Sequence, residues 1–278
     1  SVELVGASQV AIARTLQTLG RELMHGMLCA DVELFTQRVA KDIQRRLPYR
    51  LAAVSKVQAA AASLWPRAQC KVFGSQATGL CVSTSDVDVV VCLPKVMSTE
   101  SAPSLARAGV MEGRNVFKGT LQANLAQFLA NAEWVQADSL KTIENTAVPV
   151  ITLTTKPLPP LLPPAGKPAP GACGEAQDLK AEERLRSVRL DVTFEGAEHR
   201  GLAAVALVKN LVQDFPSLKN LFLVLKLMLA EKGLDNAYTG GLTSFGLILL
   251  LVRFLQHQNQ QELQSRAPQG GPEESGGG

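Results

Sequence analysis

The stretch VFGSQATGLCVSTSDVDVVV, residues 72–91, decides the fold. It opens with an apolar run that meets the turn-forming pair Gly74-Ser75, and it closes with Asp86-Val87-Asp88 inside a β-branched segment. Such runs, bounded by turn residues, are typical of strands. We therefore predict a strand at 70–73, a tight turn, and a second strand at 86–93.

The two aspartates of this stretch predict a metal site. Strand side chains alternate, so Asp86 and Asp88 project from one face about 6.5–7 Å apart. Carboxylates that share a half-buried face repel each other and require a compensating cation. A third predicted strand, 188–194, carries Asp191. If it lies beside the second strand, three hard oxygen ligands converge, as Mg²⁺ or Mn²⁺ prefers, and two ions about 4 Å apart can serve an in-line phosphoryl transfer.

Gly74 and Ser75 fit the same chemistry. A glycine lets the backbone approach a phosphate closely, and a serine hydroxyl with nearby amides binds phosphate oxygens at a helix start. A Gly-Ser turn alone is a weak signal, and a lone Asp-x-Asp is more often an exposed edge or turn. The conjunction of both with a distant strand aspartate is specific.

The remaining pattern predicts an α+β fold in which a sheet domain is followed by a helical lobe. Helical spacing runs over 23–64 with a break around Pro48, and its basic residues face either solvent or RNA. A strand is predicted at 146–154, and the other helices at 122–137, 202–215, 218–231 and 244–256. The predicted domains are N-terminal helices that join the helical lobe (1–66), a catalytic domain (67–198) with a Pro-rich insertion (156–182), an incomplete helical central domain (199–258) and a disordered tail (259–278).

Composition narrows the class of protein only slightly. The 278 residues carry a formal net charge of +3, which decides little about partners. Five cysteines without zinc-ligand spacing indicate reduced, buried thiols of a cytosolic or nuclear protein. The apolar stretches are too short for a membrane span and contain Lys226 and Arg253, so no membrane association is expected.

Residues 72–91 resemble the catalytic signature of the DNA polymerase β-like nucleotidyltransferases. More narrowly, they resemble the nuclear non-canonical poly(A) RNA polymerases of RNA surveillance, the polymerase sigma or TRAMP type. The similarity covers roughly residues 23–257 outside the Pro-rich insertion. Further matching segments are SLWP (63–66), IENTAVPVITL (143–153), LDVTF (190–194), FLVLKLML (222–229) and TGGLTSFGLILLLVRFLQ (239–256).

The resemblance implies a nucleotidyltransferase sheet domain with a helical central domain, and it assigns roles to individual residues. Three of the residues with an implied nucleotide-binding role also have a structural interpretation. Lys226 could be a surface lysine, Ser244 a helix N-cap and Phe245 a core residue. A family asparagine that contacts the ribose has no counterpart at 201–205, and the base-reading part of the helical lobe is missing after residue 257. The implied roles are two Mg²⁺ or Mn²⁺ ions bound by Asp86, Asp88 and Asp191, the triphosphate bound by Gly74, Ser75, Lys226 and Ser244, and the base stacked on Phe245.

The implied activity is addition of AMP from ATP to RNA 3′ ends without a template. Three alternatives remain open: a terminal uridylyltransferase, a catalytically inactive RNA-binding or scaffolding relative, and a transferase that acts on a small molecule or a protein. The resemblance also implies RNA-binding partner proteins and residence in the nucleus.

Overall fold

A computed structural model of the protein describes residues 2–94, 119–161, 182–235 and 240–266, with side chains from Arg14 onward. The chain divides into two compact units, Ser1–Leu207 and Val208–Gly278. The domain boundaries expected from the sequence stay predictions. The predicted α+β fold is confirmed, because helices accompany a five-stranded sheet.

The sheet belongs to the first unit and has the strand order β1-β2-β5-β4-β3. Strands β2 and β5 run parallel, whereas the other neighbouring pairs are antiparallel. In chain order the elements of this unit are α1 (Val2–Leu64), β1 (Gln69–Val72), α2 (Gly74–Thr78), β2 (Val87–Cys92), α3 (Leu121–Ala130), β3 (Lys141–Ile143), β4 (Val150–Thr154) and β5 (Arg189–Phe194).

Helix α1 covers one face of the sheet with its last turns. Ala53, Val57, Ala61 and Trp65 recur at helical spacing and are fully buried in the same core as the inward-facing residues of β2 and β5. The alanines let the helix backbone approach the strands, and the Trp65 ring meets the edge of Phe194 at 5.4 Å between centroids. A contribution of residues 1–66 to the helical lobe stays a prediction.

The predicted break around Pro48 is wrong, since α1 continues through this proline. A proline inside a helix removes one backbone hydrogen bond and strains the preceding turn. The helix persists because the turns after Pro48 are buried against the sheet, and this packing outweighs the local penalty. Leu161 donates its backbone N–H to the Pro48 carbonyl at 3.2 Å and ties the chain beyond β4 to α1.

Two other predicted elements differ from the structure, and one strand was not predicted. Helix α3 ends at Ala130 instead of 137, because the chain turns there and Val135 bridges to Thr155 beside the sheet. Strand β4 begins at Val150, directly after Pro149, which has no N–H to donate. Strand β3 was not predicted, because three exposed residues give no apolar pattern.

The second unit contains the helices α5 (Leu218–Glu231) and α6 (Ser244–Arg266), and α4 (Gly201–Asp214) spans the boundary of the units. Phe222 and Leu223 of α5 are buried, as are Leu247 and Leu251 of α6. None of the helices in the described part of the chain has both the length and the hydrophobicity that a membrane span requires.

The prediction of a disordered tail from residue 259 is wrong for residues 259–266, which continue α6. Gln, Glu, Leu and Arg favour helix, and extending an existing helix avoids the nucleation penalty. Residues 267–278 and most of the Pro-rich insertion, 162–181, lie outside the described residues. Cys29 is exposed, contrary to the prediction of buried thiols, and Cys173 is not among the described residues.

Candidate functional site

The predicted neighbourhood of the two aspartate-bearing strands is confirmed. The parallel register of β2 and β5 pairs Asp88 with Asp191, on adjacent strands. Val87 and Val89 fill the core beneath α1, so by alternation Asp86, Asp88 and Asp191 belong to the opposite face. The structure therefore brings the three carboxylates predicted from the sequence to one face of one strand pair.

Burial and like charge act on Asp191. Partial burial, followed by the negative charge of Asp86, raises the pKa of the Asp191 carboxyl to about 6, and the cation Arg189 opposes this shift. A carboxylate whose charge is disfavoured in this way gains from a nearby cation. The electrostatics therefore suit a bound divalent ion.

Arg189 forms a two-point ion pair with Asp86. Its Nη2 donates to Asp86 Oδ2 at 3.1 Å, and its Nε lies 3.1 Å from Oδ1. The Arg189 side chain is 67% exposed, so the pair is accessible to water and contributes little to stability. One of the three carboxylates is thus partly neutralised by a protein cation.

Asp88 is directed toward the Gly-Ser turn. A Cβ atom built on Gly74 would fall only 1.9 Å from Asp88 Oδ2, and Gly74 has a φ of +62°. The Phe73 N–H also donates to the Asp88 carbonyl at 3.0 Å. Gly74 is therefore required by two features at once, the left-handed backbone and the space that the Asp88 carboxylate occupies.

The donor chemistry fits Mg²⁺ or Mn²⁺, whereas the arrangement is not a closed set of ligands. Among the described residues, no three His, Cys, Asp or Glu side chains are gathered closely enough to hold a metal ion. Asp86 is turned to Arg189 and Asp88 to Gly74. The role of the three aspartates as metal ligands stays a prediction.

The other predicted nucleotide-binding residues belong to different elements. Ser75 lies in the first turn of α2, next to Gly74. Lys226, Ser244 and Phe245 belong to the second unit. Lys226 is half-buried on α5 with its Nζ 5.6 Å from the centroid of the Phe222 ring, which places a cation against an aromatic face.

Two side chains at the start of α6 test the alternatives that the sequence left open. Thr243 Oγ1 accepts the Gly246 N–H at 3.0 Å, so the N-cap is Thr243 and not Ser244. The Phe245 ring is 42% exposed, which excludes the alternative that it is a buried core residue of this unit.

Arg50 is a site-supporting residue that sequence reasoning missed. The sequence suggested a solvent-facing or RNA-facing residue, yet Arg50 is only 3% exposed. Its Nη1 donates to Gln76 Oε1 on α2, and its Nη2 donates to the carbonyls of Val82, Ser83 and Ser85 at 3.1–3.2 Å. Arg50 thereby joins α1 to both the Gly-Ser helix and the loop that leads into Asp86.

The sheet order and the placement of the aspartates define the class, an α+β nucleotidyltransferase palm. Residues 13–159, more than half of the chain, match the family described as poly(A) RNA polymerase, mitochondrial-like, central palm domain. The chain belongs to this family.

The individual relatives share low sequence identity with this chain. Trf4-2 of Drosophila melanogaster, described as an inactive non-canonical poly(A) RNA polymerase, is 26% identical over 74% of this chain and 39% of that protein. Poly(A) RNA polymerase protein 2 of Saccharomyces cerevisiae is 26% identical over 76% of this chain and 28% of that protein. The chain thus spans well under half the length of these relatives.

Solved structures align with a similar share of this chain. The polymerase core of TRAMP, an RNA surveillance complex, aligns with a TM-score of 0.47 at 26% identity and covers 74% of this chain and 48% of that chain. The Cid1 poly(U) polymerase aligns with a TM-score of 0.47 at 19% identity, over 73% of this chain and 48% of that chain.

Proposed function

We propose that this chain contains the catalytic palm of an RNA nucleotidyltransferase that adds AMP from ATP to RNA 3′ ends without a template. The observation that carries the proposal is the placement of Asp86, Asp88 and Asp191 on one face of two adjacent parallel strands. Membership of the poly(A) RNA polymerase palm family supports it.

Each predicted site residue of the palm has a proposed role in this reaction. Asp86, Asp88 and Asp191 would hold Mg²⁺ or Mn²⁺; the first two would orient the nucleotide, and Asp191 would orient the attacking 3′-hydroxyl. Two such ions would supply Lewis-acid activation of that hydroxyl and neutralise the charge that develops on the pyrophosphate. Gly74 leaves the space that the Asp88 carboxylate occupies, and Ser75 contacts the triphosphate. Positioning and charge stabilisation account for the catalysis.

Three residues of the second unit have predicted nucleotide-binding roles in this proposal, which rest on the resemblance. Lys226 binds a phosphate oxygen, and the Ser244 hydroxyl does the same from the first turn of α6. The exposed Phe245 ring stacks on the base, a contact that contributes about 1–3 kcal/mol and tolerates different bases. Because stacking does not choose between adenine and uracil, a terminal uridylyltransferase is the nearest alternative.

A catalytically inactive relative is the second candidate. The observation that favours it is the ion pair between Arg189 and Asp86, which places a protein cation at one of the three carboxylates. An arginine in this position would compete with a metal ion for Asp86. In that case the protein would bind RNA or scaffold a complex without transferring nucleotides.

Primer extension separates these candidates. Short oligo(A) RNA, Mg²⁺ or Mn²⁺ and each NTP alone are incubated with the wild-type chain, with Asp86→Ala/Asp88→Ala, and with Asp31→Ala/Asp42→Ala as a control with the same loss of charge on α1. We expect extension with ATP that only the first variant abolishes. Extension with UTP alone indicates the uridylyltransferase. A folded chain that extends the RNA with none of the four NTPs indicates an inactive relative or an incomplete fragment.

We also propose that RNA-binding partner proteins assist this chain and that it acts in the nucleus. Both proposals rest on the resemblance to RNA-surveillance polymerases. Imaging of the tagged protein in cells tests the second, and a cytoplasmic signal alone would refute it.

A further inference from the structure

A cavity of about 790 Å³ lies in the first unit, at the end of the sheet where strands β2 and β5 begin and strand β4 ends. Its volume suits a small organic ligand or a nucleotide-sized group. The charged side chains that line it are Arg46, Arg50, Lys156, Arg184, Arg189 and Glu183.

Positive charge exceeds negative charge in this cavity. Among the described residues that line it, Glu183 is the acidic one, against five cations. Arg50 uses its donors on backbone carbonyls and Arg189 pairs with Asp86, which leaves Arg46, Lys156 and Arg184 as the cations for a ligand. The crowding is strong enough that burial, and then the charge of Arg50, lower the pKa of Arg46.

Arg189 lines the cavity and pairs with Asp86, so the cavity borders one of the three carboxylates. Gly74 follows β1, at one edge of the sheet, whereas Thr154 and Arg189, which line the cavity, belong to β4 and β5. Strand β2, which carries Asp88, lies between β1 and β5 in the sheet. Gly74 and Ser75 are not among the residues that line the cavity, so a triphosphate bound by them and a second polyanion in the cavity would contact different side chains.

We infer that this cavity binds phosphodiester groups of the RNA strand whose 3′ end is extended. The inference rests on the proposed function and adds to it the position of the acceptor strand. Arg46 is half-buried and its Nη1 donates to the Arg184 carbonyl at 3.3 Å, whereas the side chains of Arg184 and Lys156 are exposed. A guanidinium group can donate two parallel hydrogen bonds to the oxygens of one phosphate. The hydroxyls of Thr84 and Ser187, which also line the cavity, add neutral donors.

The test measures binding of a fluorescent oligo(A) RNA by anisotropy, without nucleotide or metal. The variant is Arg46→Gln/Lys156→Gln/Arg184→Gln. The matched control is Arg21→Gln/Arg38→Gln/Lys56→Gln, which removes the same charges from exposed positions of α1 outside the cavity. We expect the cavity variant to bind RNA at least about tenfold more weakly, and its slope of log affinity against log salt, between about 50 and 200 mM, to fall by about two.

Nucleotide binding provides the second readout. Affinity for ATP should be the same in the wild type and in the cavity variant, because the cavity is assigned to RNA and not to the triphosphate. A double variant, Lys156→Gln/Arg184→Gln, changes only exposed side chains and should show part of the RNA defect, so misfolding does not imitate the result.

Several outcomes would overturn the inference. These are equal RNA affinity in the cavity variant and the wild type, an equal loss in the control, a loss of ATP binding in place of RNA binding, and no RNA binding by the wild type at low salt. RNA binding through the cavity in a chain that extends no primer would refute the proposed function and leave only the RNA-binding role of the cavity standing. Primer extension by a chain whose cavity variant binds RNA as tightly as the wild type would refute the inference about the cavity and leave the proposed function standing.

Discussion

At the scale of single residues, Gly74 links the backbone to the carboxylate Asp88. Gly74→Ala forces its Cβ against Asp88 Oδ2, so we expect nucleotide incorporation to fall about a hundredfold, the effect of moving a catalytic group by about 1 Å. Gly79 is the matched control, because its φ is +75° and nothing lies within 4 Å of a Cβ placed there. Both substitutions should lower stability by about 1–2 kcal/mol, measured by urea unfolding. Equal activity of the two variants would contradict this account.

Asp191 makes stability depend on pH. Burial, and then the charge of Asp86, raise its pKa from 3.8 to about 6, so the folded state binds the proton more tightly than the unfolded state and loses stability as pH rises through this window. After allowance for partial solvent screening, Asp191→Asn should stabilise the metal-free protein by about 1–2 kcal/mol at neutral pH and by less near pH 5. Urea unfolding at both pH values measures the difference, with Asp31→Asn as an exposed control. A gain that does not change with pH would count against the assignment.

Individual residues differ in how far the sequence predicts them. The common face of Asp86 and Asp88 follows from strand alternation alone, and only the pairing with Asp191 needed the fold. The ion pair of Asp86 with Arg189 was not predictable, because it depends on the register of two strands a hundred residues apart. Arg50 was equally hidden, since its carbonyl partners lie in a loop more than thirty residues away.

At the scale of elements, Arg50 connects α1 to the two segments that bear the site. Arg50→Met leaves the carbonyls of Val82, Ser83 and Ser85 without this donor, and we expect a loss of about 2–4 kcal/mol in the free energy of unfolding. Arg50→Lys keeps the charge but not the planar fork of donors, so it should recover only part of that loss. Urea denaturation measures both, and the exposed Arg38→Met serves as the control. An Arg50→Met protein as stable as that control would disprove the connection.

The elements that the sequence predicted well are those whose own pattern is strong. Strands β2 and β5 are runs of β-branched and apolar residues, and they form within a residue or two of the expected positions. Pro48 misled the prediction because a local penalty of about 3 kcal/mol was weighed without the tertiary burial of the turns that follow. Strand β3 depends on pairing with β4 and carries no signal of its own.

At the scale of the whole molecule, the sequence predicted the sheet followed by helices but not the closure of the Pro-rich insertion. The segments on either side of the insertion are hydrogen-bonded to each other next to β4 and β5. Leu158 and Arg186 exchange two hydrogen bonds of 3.1 Å, and the Thr155 N–H donates to the Val188 carbonyl at 2.9 Å. Because the pairing is between residues about thirty positions apart, composition alone gave no sign of it. The insertion is therefore attached to the sheet by a closed stem.

This stem predicts that the insertion can be shortened without loss of fold. Replacing residues 162–181 with a short Gly/Ser linker retains Leu158 and Arg186, so the sheet and the charged cavity should stay intact. Loop-closure entropy then favours the shorter chain, and the free energy of unfolding should stay equal or rise by about 1 kcal/mol. Urea unfolding, together with primer extension, measures the effect. A longer deletion that also removes Leu158 and Arg186 is the control and should destabilise the protein, because Leu158 is buried in the core. If the short deletion destabilised the chain as much as the long one, the insertion itself would have to contribute to the fold.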